Sequence, residues 1–206
     1  MIPFDHNAVP AVNVSRQSAQ VGHIESFDVD EHAEALAPMW NVNFDQISPG
    51  AFHAELDFVR TAHLIFYRER WDSRLNVAGT SPAEYLMVGT TASANFSWHG
   101  AELGERNLAI KQSAETVDFS SCGSDHVVLL VGPGVLKEHL GEEPAEVLLR
   151  ASHRIDCTPE THTAFLKTLL RLTHRCRSHP EWLDHHAPAI ELELLELLVP
   201  HERSAA

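Results

Sequence analysis

The chain has 206 residues and a mass of 22.9 kDa, which is enough for one domain with a substantial hydrophobic core. Apolar residues make up 44% and charged residues 21%, so the composition excludes a wholly disordered or fibrous protein. Fifteen Lys and Arg against 29 Asp and Glu give a formal net charge of -14, which repels a phosphate backbone. We therefore expect a globular protein that does not bind DNA through this segment.

The lack of a targeting signal and the small number of cysteines indicate a reducing compartment. No apolar run approaches the roughly 20 residues that span a bilayer, and the N-terminus lacks a cationic stretch followed by an apolar one. Cys122, Cys157 and Cys176 are too few and too irregularly spaced for a disulfide framework or a zinc knuckle. The sequence predicts a cytoplasmic protein with reduced thiols and no membrane contact.

The N-terminal part combines a predicted arm with a predicted helix. Residues 1–26 are mostly polar or small and show no sustained period, which is typical of an arm with little core of its own. Asp28 and Asp30 are both plausible helix caps, and apolar residues follow at helical spacing as far as Trp40. The helical pattern ends before a turn at residues 48–50.

After this turn the hydrophobic period changes to two. Seven or eight short segments alternate apolar and polar residues, and turn-forming residues separate them. These segments are 52–58, 64–71, 74–79, 84–90, 94–100, 107–111, 115–120 and 126–132. The pattern is typical of a β-sandwich or β-barrel.

The C-terminal third has helical spacing instead. Thr158 is a plausible N-cap with Pro159 in the first turn, and the helix that follows runs to about Ser178. A second helix is predicted from about Pro188 to Pro200. Two apolar helices joined by a short loop predict an antiparallel hairpin, and the whole chain is therefore expected to be α+β.

Apolar residues on this predicted hairpin form a stripe that fits two interpretations. The stripe either packs back on the strand region or pairs with a second subunit, and the spacing alone does not decide between them. The candidate dimerisation residues are Phe165, Leu169, Leu172, Cys176 and Leu194.

Fifteen histidines raise the question of a metal site, but their spacing does not favour one. A metal-bearing barrel of this kind needs two histidines two residues apart on one strand, and the sequence has no such pair. A histidine-rich and acidic cluster at 179–186 is more typical of a solvated loop than of a zinc site. Nucleophile motifs and phosphate-binding loops are also missing, so we predict no metal, no cofactor and no catalytic residue.

The strand region does offer candidate ligand contacts. Arg68 shares a predicted strand face with Phe66, and a buried guanidinium needs either a local carboxylate or an anionic ligand. In a third interpretation, the strand face that carries Arg68 lies outside the core and the guanidinium needs no buried partner. Trp98 alternates in phase with Phe96, which makes it an inward ring in the core or in a pocket wall. The candidate ligand-binding residues are Phe52, Phe66, Arg68 and Trp98.

Three short motifs stand in order along the strand region. A tryptophan, Trp40, precedes a Q-x-S-P-G-x-F turn; an R-E strand and a W-x-G follow, and an acidic V-D-F comes later at 117–119. The matching residues are Gln46, Ser48, Pro49, Gly50, Phe52, Arg68, Glu69, Trp98 and Gly100. Over about residues 27–198 the chain resembles the sensor domain of AraC-type transcription regulators.

This resemblance implies an arm at 1–26, a cupin-like effector-binding β-barrel at 27–135, and a helical dimerisation segment and linker at 136–206. The effector would be an anionic or aromatic small molecule, the chain would form a homodimer, and the protein would not be an enzyme. DNA would be bound only through a C-terminal helix-turn-helix domain that this sequence does not contain. The alternative is a stand-alone cupin-like enzyme or metal-binding protein.

Overall fold

A computed structural model describes residues 19–82, 84–93, 96–112 and 115–199. Within these residues the strands are β1 Gln20–Ser26, β2 Asn41–Gln46, β3 Ala54–Arg60, β4 Leu64–Thr80, β5 Leu86–Thr91, β6 Phe96–Trp98, β7 Ala101–Glu102, β8 Asn107–Lys111, β9 Thr116–Val131 and β10 His153–Asp156. The helices are α1 Val29–Leu36, α2 Pro133–Leu140, α3 Glu142–Arg150, α4 Pro159–Ser178 and α5 Pro180–Glu196. The α+β class predicted from the sequence is confirmed.

The strands form one large antiparallel sheet built on two long strands. Its main order is β1-β3-β4-β9-β5-β8-β10, while β2 also pairs with β4, and β6 pairs with β9 and β7. β4 pairs with β3 along its first half and with β2 along its second half. Its register with β9 shifts between Trp71 and Arg74, beside Gly123, whose φ of 73° is accessible mainly to glycine.

Alternation along β4 separates two hydrophobic clusters. Leu64 and Phe66 belong to the outer core, which also contains the apolar side chains of α4 and α5. Tyr67 and Trp71 belong to the inner core, which the strands share with Leu36 of α1. Because successive side chains of a strand point to opposite faces, one strand supplies both clusters.

Each of the two helices has a predicted N-cap, and of the two candidates for α1 it is Asp28, with Asp30 in the first turn. The Asp28 carboxylate accepts hydrogen bonds from the backbone N–H groups of Asp30 and Glu31, and the Thr158 hydroxyl accepts one from that of Thr161. These bonds satisfy N–H groups that have no partner inside the helix. α4 then runs to Ser178, as predicted, and packs on β1, β3, β4, β5 and β9.

The second helix of the hairpin begins earlier than predicted. α5 starts at Pro180, and Pro188 lies inside it rather than at its beginning. A proline removes one backbone hydrogen bond from a helix interior. Here Leu183 on one side of it and Ile190 on the other are both buried in the outer core, and this burial keeps the two parts in one helix.

Other boundaries differ from the sequence pattern. The segments predicted at 64–71 and 74–79 are one strand, β4, and those at 115–120 and 126–132 are one strand, β9. Residues 20–26 form the edge strand β1 instead of an arm, while the arm prediction for residues 1–18 lies outside the described residues. Strands β2 and β10 were not predicted. No helix in the described part of the chain is long and apolar enough to cross a membrane.

Candidate functional site

The inner core encloses a cavity of about 40 Å³. The cavity has room for on the order of three water molecules. Its wall is mainly apolar and aromatic, with one carboxylate and one imidazole. It is lined by Leu36, Trp40, Val42, Phe44, Tyr67, Glu69, Val77, Met87, Gly89, Thr90, Phe96, Trp98, Leu103, Ala109, Phe119, His126, Val127 and Val128.

Glu69 is the unusual member of this wall. It lies on β4 between Tyr67 and Trp71, and the strand period therefore directs it into the inner core. Only 3% of its surface is exposed. A carboxylate with so little access to water is tolerated only when it is paired and hydrogen-bonded.

Two histidines from different elements pair with this carboxylate. His32 of α1 places Nε2 2.6 Å from Oε1 of Glu69, and His126 of β9 places Nε2 3.0 Å from Oε2. The Nδ1 atoms face serine hydroxyls, at 3.4 Å from Ser26 and 2.9 Å from Ser124. The five side chains form one buried hydrogen-bonded row that joins β1, α1, β4 and β9.

The imidazoles control the ionisation of Glu69. Burial on its own raises the pKa of this carboxyl, but His126 and His32 outweigh burial and hold the pKa at about 2, below the ordinary 4.5. Glu69 is therefore ionised at neutral pH. Burial, together with the Glu69 charge, raises the pKa of the neighbouring Tyr67 phenol well above its usual value, so Tyr67 stays neutral.

One of the two indoles in the cavity wall gives it further hydrogen-bonding capacity. Trp40 faces the Tyr67 hydroxyl, but its indole Nε1 is buried without a hydrogen-bond partner among the described residues. A buried indole N–H normally finds a partner, so this donor is available to a bound molecule. The Trp98 indole, in contrast, donates to the backbone carbonyl of His153 at 2.7 Å.

One cavity-lining residue connects the cavity to the helical hairpin. The hydroxyl oxygen of Thr90, on β5, lies 2.6 Å from Nε2 of His162. His162 belongs to α4 and is buried. Burial lowers the pKa of His162, which favours the neutral imidazole in this hydrogen bond. A single strand therefore separates the cavity from α4.

The row of side chains also contains a hydroxyl, an imidazole and a carboxylate in the order of a catalytic triad, Ser124–His126–Glu69. Ser124 is buried and lies away from the cavity wall, so a molecule in the cavity does not reach its hydroxyl. Among the described residues no three His, Cys, Asp or Glu side chains are grouped so as to hold a metal ion.

The sequence-predicted ligand residues are divided between the two cores. Trp98 lines the cavity, and Phe52 packs beside it in the inner core with its ring 5.8 Å from that of His32. Phe66 lies in the outer core. Arg68 is on the same outer side and donates to both oxygens of Asp125, at 2.7 and 2.6 Å, so its partner is a carboxylate of the same chain that is distant in sequence.

The candidate dimerisation residues all lie inside one chain. They pack in the outer core, against the sheet and between α4 and α5, and are fully buried there. The residues are Phe165, Leu169, Leu172, Cys176 and Leu194. The apolar stripe of the hairpin therefore packs on the strand region of the same chain, which is one of its two predicted interpretations. A second subunit would have to use other side chains.

The central residues of the site were not identified from the sequence. Glu69 belongs to the R-E motif, but neither His32 nor His126 belongs to any motif of the sequence. The available signal was a carboxylate in phase with the inward rings of Tyr67 and Trp71. A second signal was His32, one helical turn after Val29 on the apolar side of α1. Their contact joins residues 37 positions apart, which no local pattern reveals.

The chain matches no protein-family model, no curated protein and no solved structure.

Proposed function

We propose that this chain is the effector-sensing and dimerisation domain of an AraC-type transcription regulator. In this proposal it controls DNA binding by a helix-turn-helix domain that the sequence does not contain, and it acts in the cytoplasm without catalysing a reaction. The single observation that carries the proposal is a mainly apolar cavity with a buried carboxylate in its wall, which is one strand away from a helical hairpin. The motif resemblance at residues 40–52, 66–71 and 97–110 supports it independently.

We further propose that the sheet is a cupin-like barrel. Supporting this, β4 and β9 each take part in two regions of the sheet, and the inner core gathers side chains from β2, β3, β4, β5, β6, β8 and β9 around the cavity. α1 contributes Leu36 and His32 to the same interior. Such an interior suits one small effector, because ligand sites are concave and mostly apolar with a few placed polar groups.

Signalling would follow from unequal affinity of the effector for two arrangements of the domain. The Thr90–His162 hydrogen bond is the contact through which a change at the cavity wall would reach α4. α4 is also tied to the sheet at its other end, where Arg177 lies 2.9 Å from Asp57 of β3. A bound effector that moves β5 would therefore shift α4 relative to the rest of the sheet.

Dimerisation would use the exposed side of the hairpin. Leu192 on α5 is 47% exposed and lies outside the outer core. Fully burying a leucine side chain contributes about 1.5–3 kcal/mol. We therefore expect sedimentation velocity to show a dimer at high micromolar concentration, and Leu192→Lys to weaken it about tenfold or more.

The matched control is Val147→Lys on α3, because Val147 is an apolar residue with 59% exposure on a different helix. This variant should leave the dimer unchanged. A chain that stays monomeric at high micromolar concentration would contradict the dimerisation part of the proposal. A dimer that Leu192→Lys and Val147→Lys affect equally would contradict the assignment to the hairpin.

A further inference from the structure

We propose that the cavity of the inner core takes a small alkylammonium cation, with its N–H groups on Glu69 and its carbon atoms against the aromatic wall. This inference rests on the proposed function, since it names the chemical class of the effector. It also replaces the anionic effector expected from Arg68, because Arg68 points to the outer side and is paired with Asp125.

The hydrogen bonds around Glu69 leave it able to accept another donor. A carboxylate has about four acceptor positions on its two oxygens, and the imidazole of His32 and that of His126 occupy one position on each. Glu69 itself lines the cavity. An ammonium group in the cavity can therefore donate to either oxygen without displacing an imidazole.

The composition of the cavity wall favours a cation. The Nε2 atoms of both histidines face Glu69, and their Nδ1 atoms lie beside the serine hydroxyls. Among the described residues that line the cavity, Glu69 is the only carboxylate. A carboxylate in the protein interior attracts a cation more strongly than an exposed one, because little water screens it.

The described chain places no lysine or arginine in the cavity wall that would compensate this charge. Lys111 is buried on the neighbouring strand β8, but its Nζ lies 3.3 Å from the Glu115 carboxylate and it does not line the cavity. An anionic ligand would therefore meet a like charge at Glu69 with no cation to hold it.

The remaining wall also suits an alkylammonium ion. Six aromatic side chains line the cavity, and aromatic faces attract cations while their carbon surface accepts an alkyl chain. The aromatic residues are Trp40, Phe44, Tyr67, Phe96, Trp98 and Phe119. The volume of about 40 Å³ restricts the fitting probe to a few non-hydrogen atoms.

The test is a titration of the chain with ethylammonium, ethanol and acetate at a pH of about 8, where the amine is protonated and acetate is ionised. The indole N–H resonances of Trp40 and Trp98 report on the cavity by NMR, and that of Trp182, on α5 beneath the Arg175 guanidinium, is the internal control. We expect ethylammonium to shift the two cavity resonances with an affinity at least tenfold higher than that of the isosteric ethanol. Acetate should shift neither.

Two variants test whether the preference for ethylammonium over ethanol depends on Glu69. Glu69→Gln should remove the advantage of ethylammonium over ethanol, while Asp125→Asn, which changes a carboxylate on the outer side, should leave it unchanged. If Glu69→Gln does not fold, the titrations of the wild-type chain with the three probes still test the inference.

Two results would overturn the inference, and they bear differently on the proposed function. Equal affinity for ethylammonium and ethanol, or preferred binding of acetate, excludes a cation site but leaves an effector cavity. No shift by any probe excludes the cation site and also removes the cavity as support for a sensor, whereas the dimer measurement remains a separate test of the domain's function.

Discussion

The two sides of strand β4 hold charged residues in opposite ways. On the outer side, Arg68 and Arg70 pair with Asp125 and Glu55, and these four side chains keep between a quarter and a third of their surface exposed. On the inner side, Glu69 is almost completely buried and bridges two imidazoles. Adjacent charged residues of β4 are therefore partly hydrated on the outer side and almost completely dehydrated on the inner side.

This difference matters because the energy of an ion pair depends on its solvation. Water and salt screen the outer pairs, and such pairs contribute on the order of 0–1 kcal/mol. The inner carboxylate is only 3% exposed, so bulk solvent does not replace a lost partner and each of its hydrogen bonds has a larger effect on stability. Polar side chains on the inner side of β4 therefore have a larger effect on stability than those on its outer side.

The largest expected effect is that of removing Glu69. Glu69→Ala leaves two buried imidazoles without their acceptor, and breaking a buried pair in this way costs about 3–5 kcal/mol. Urea unfolding measures the change in the free energy of unfolding. The matched control is Glu55→Ala on the outer side, which removes the half-hydrated partner of Arg70 and should cost less than about 1 kcal/mol.

Equal losses in these two variants would show that the inner row is no more important than a surface pair. Recovery of most of the stability by Glu69→Gln would show that hydrogen bonding, rather than charge, holds the two imidazoles in place.

The second expected effect is a pH dependence specific to Glu69. Its pKa is about 2 in the folded protein and 4.5 in the unfolded chain, so the ionised group stabilises the fold above pH 4.5. This contribution, about 3 kcal/mol in full, is lost as the pH falls from 4.5 towards 2.

The measurement is the difference in the free energy of unfolding between wild type and Glu69→Gln. Between pH values of about 5 and 3 this difference should shrink by about 2 kcal/mol, because only the wild type takes up the proton. A difference that stays constant over this range would mean that the folded pKa of Glu69 is not lowered.

Local signals were enough to predict much of the fold. Asp28 and Thr158 could be recognised as caps because the capping bond joins residues two or three positions apart. Period-two alternation located most strands, because it too is a pattern among residues that are close in sequence. The bend of β4 near Asp72 was misread as a break between two strands, because a register shift and a turn have similar polar sequences.

The site could be predicted only in part. Trp98 was assigned inward correctly from its alternation with Phe96, since that is a property of one strand. Arg68 was considered as a ligand contact because its outer partner, Asp125, is 57 residues away and its pairing depends on the register of β4 with β9. The Glu69 row requires contacts among four elements, and such tertiary contacts are not encoded by any local spacing.

The smallest expected effect is that of Arg68→Ala. Its guanidinium makes two charge-assisted bonds to Asp125, but both side chains are about 30% exposed, so water can replace the bonds. We expect a loss of about 0.2–1 kcal/mol in urea unfolding, and a smaller loss at high salt because exposed charges are screened. A loss as large as that for Glu69→Ala would mean that the outer side of β4 is as poorly hydrated as the inner side. In that case the energetic difference between the two sides would not arise from solvation.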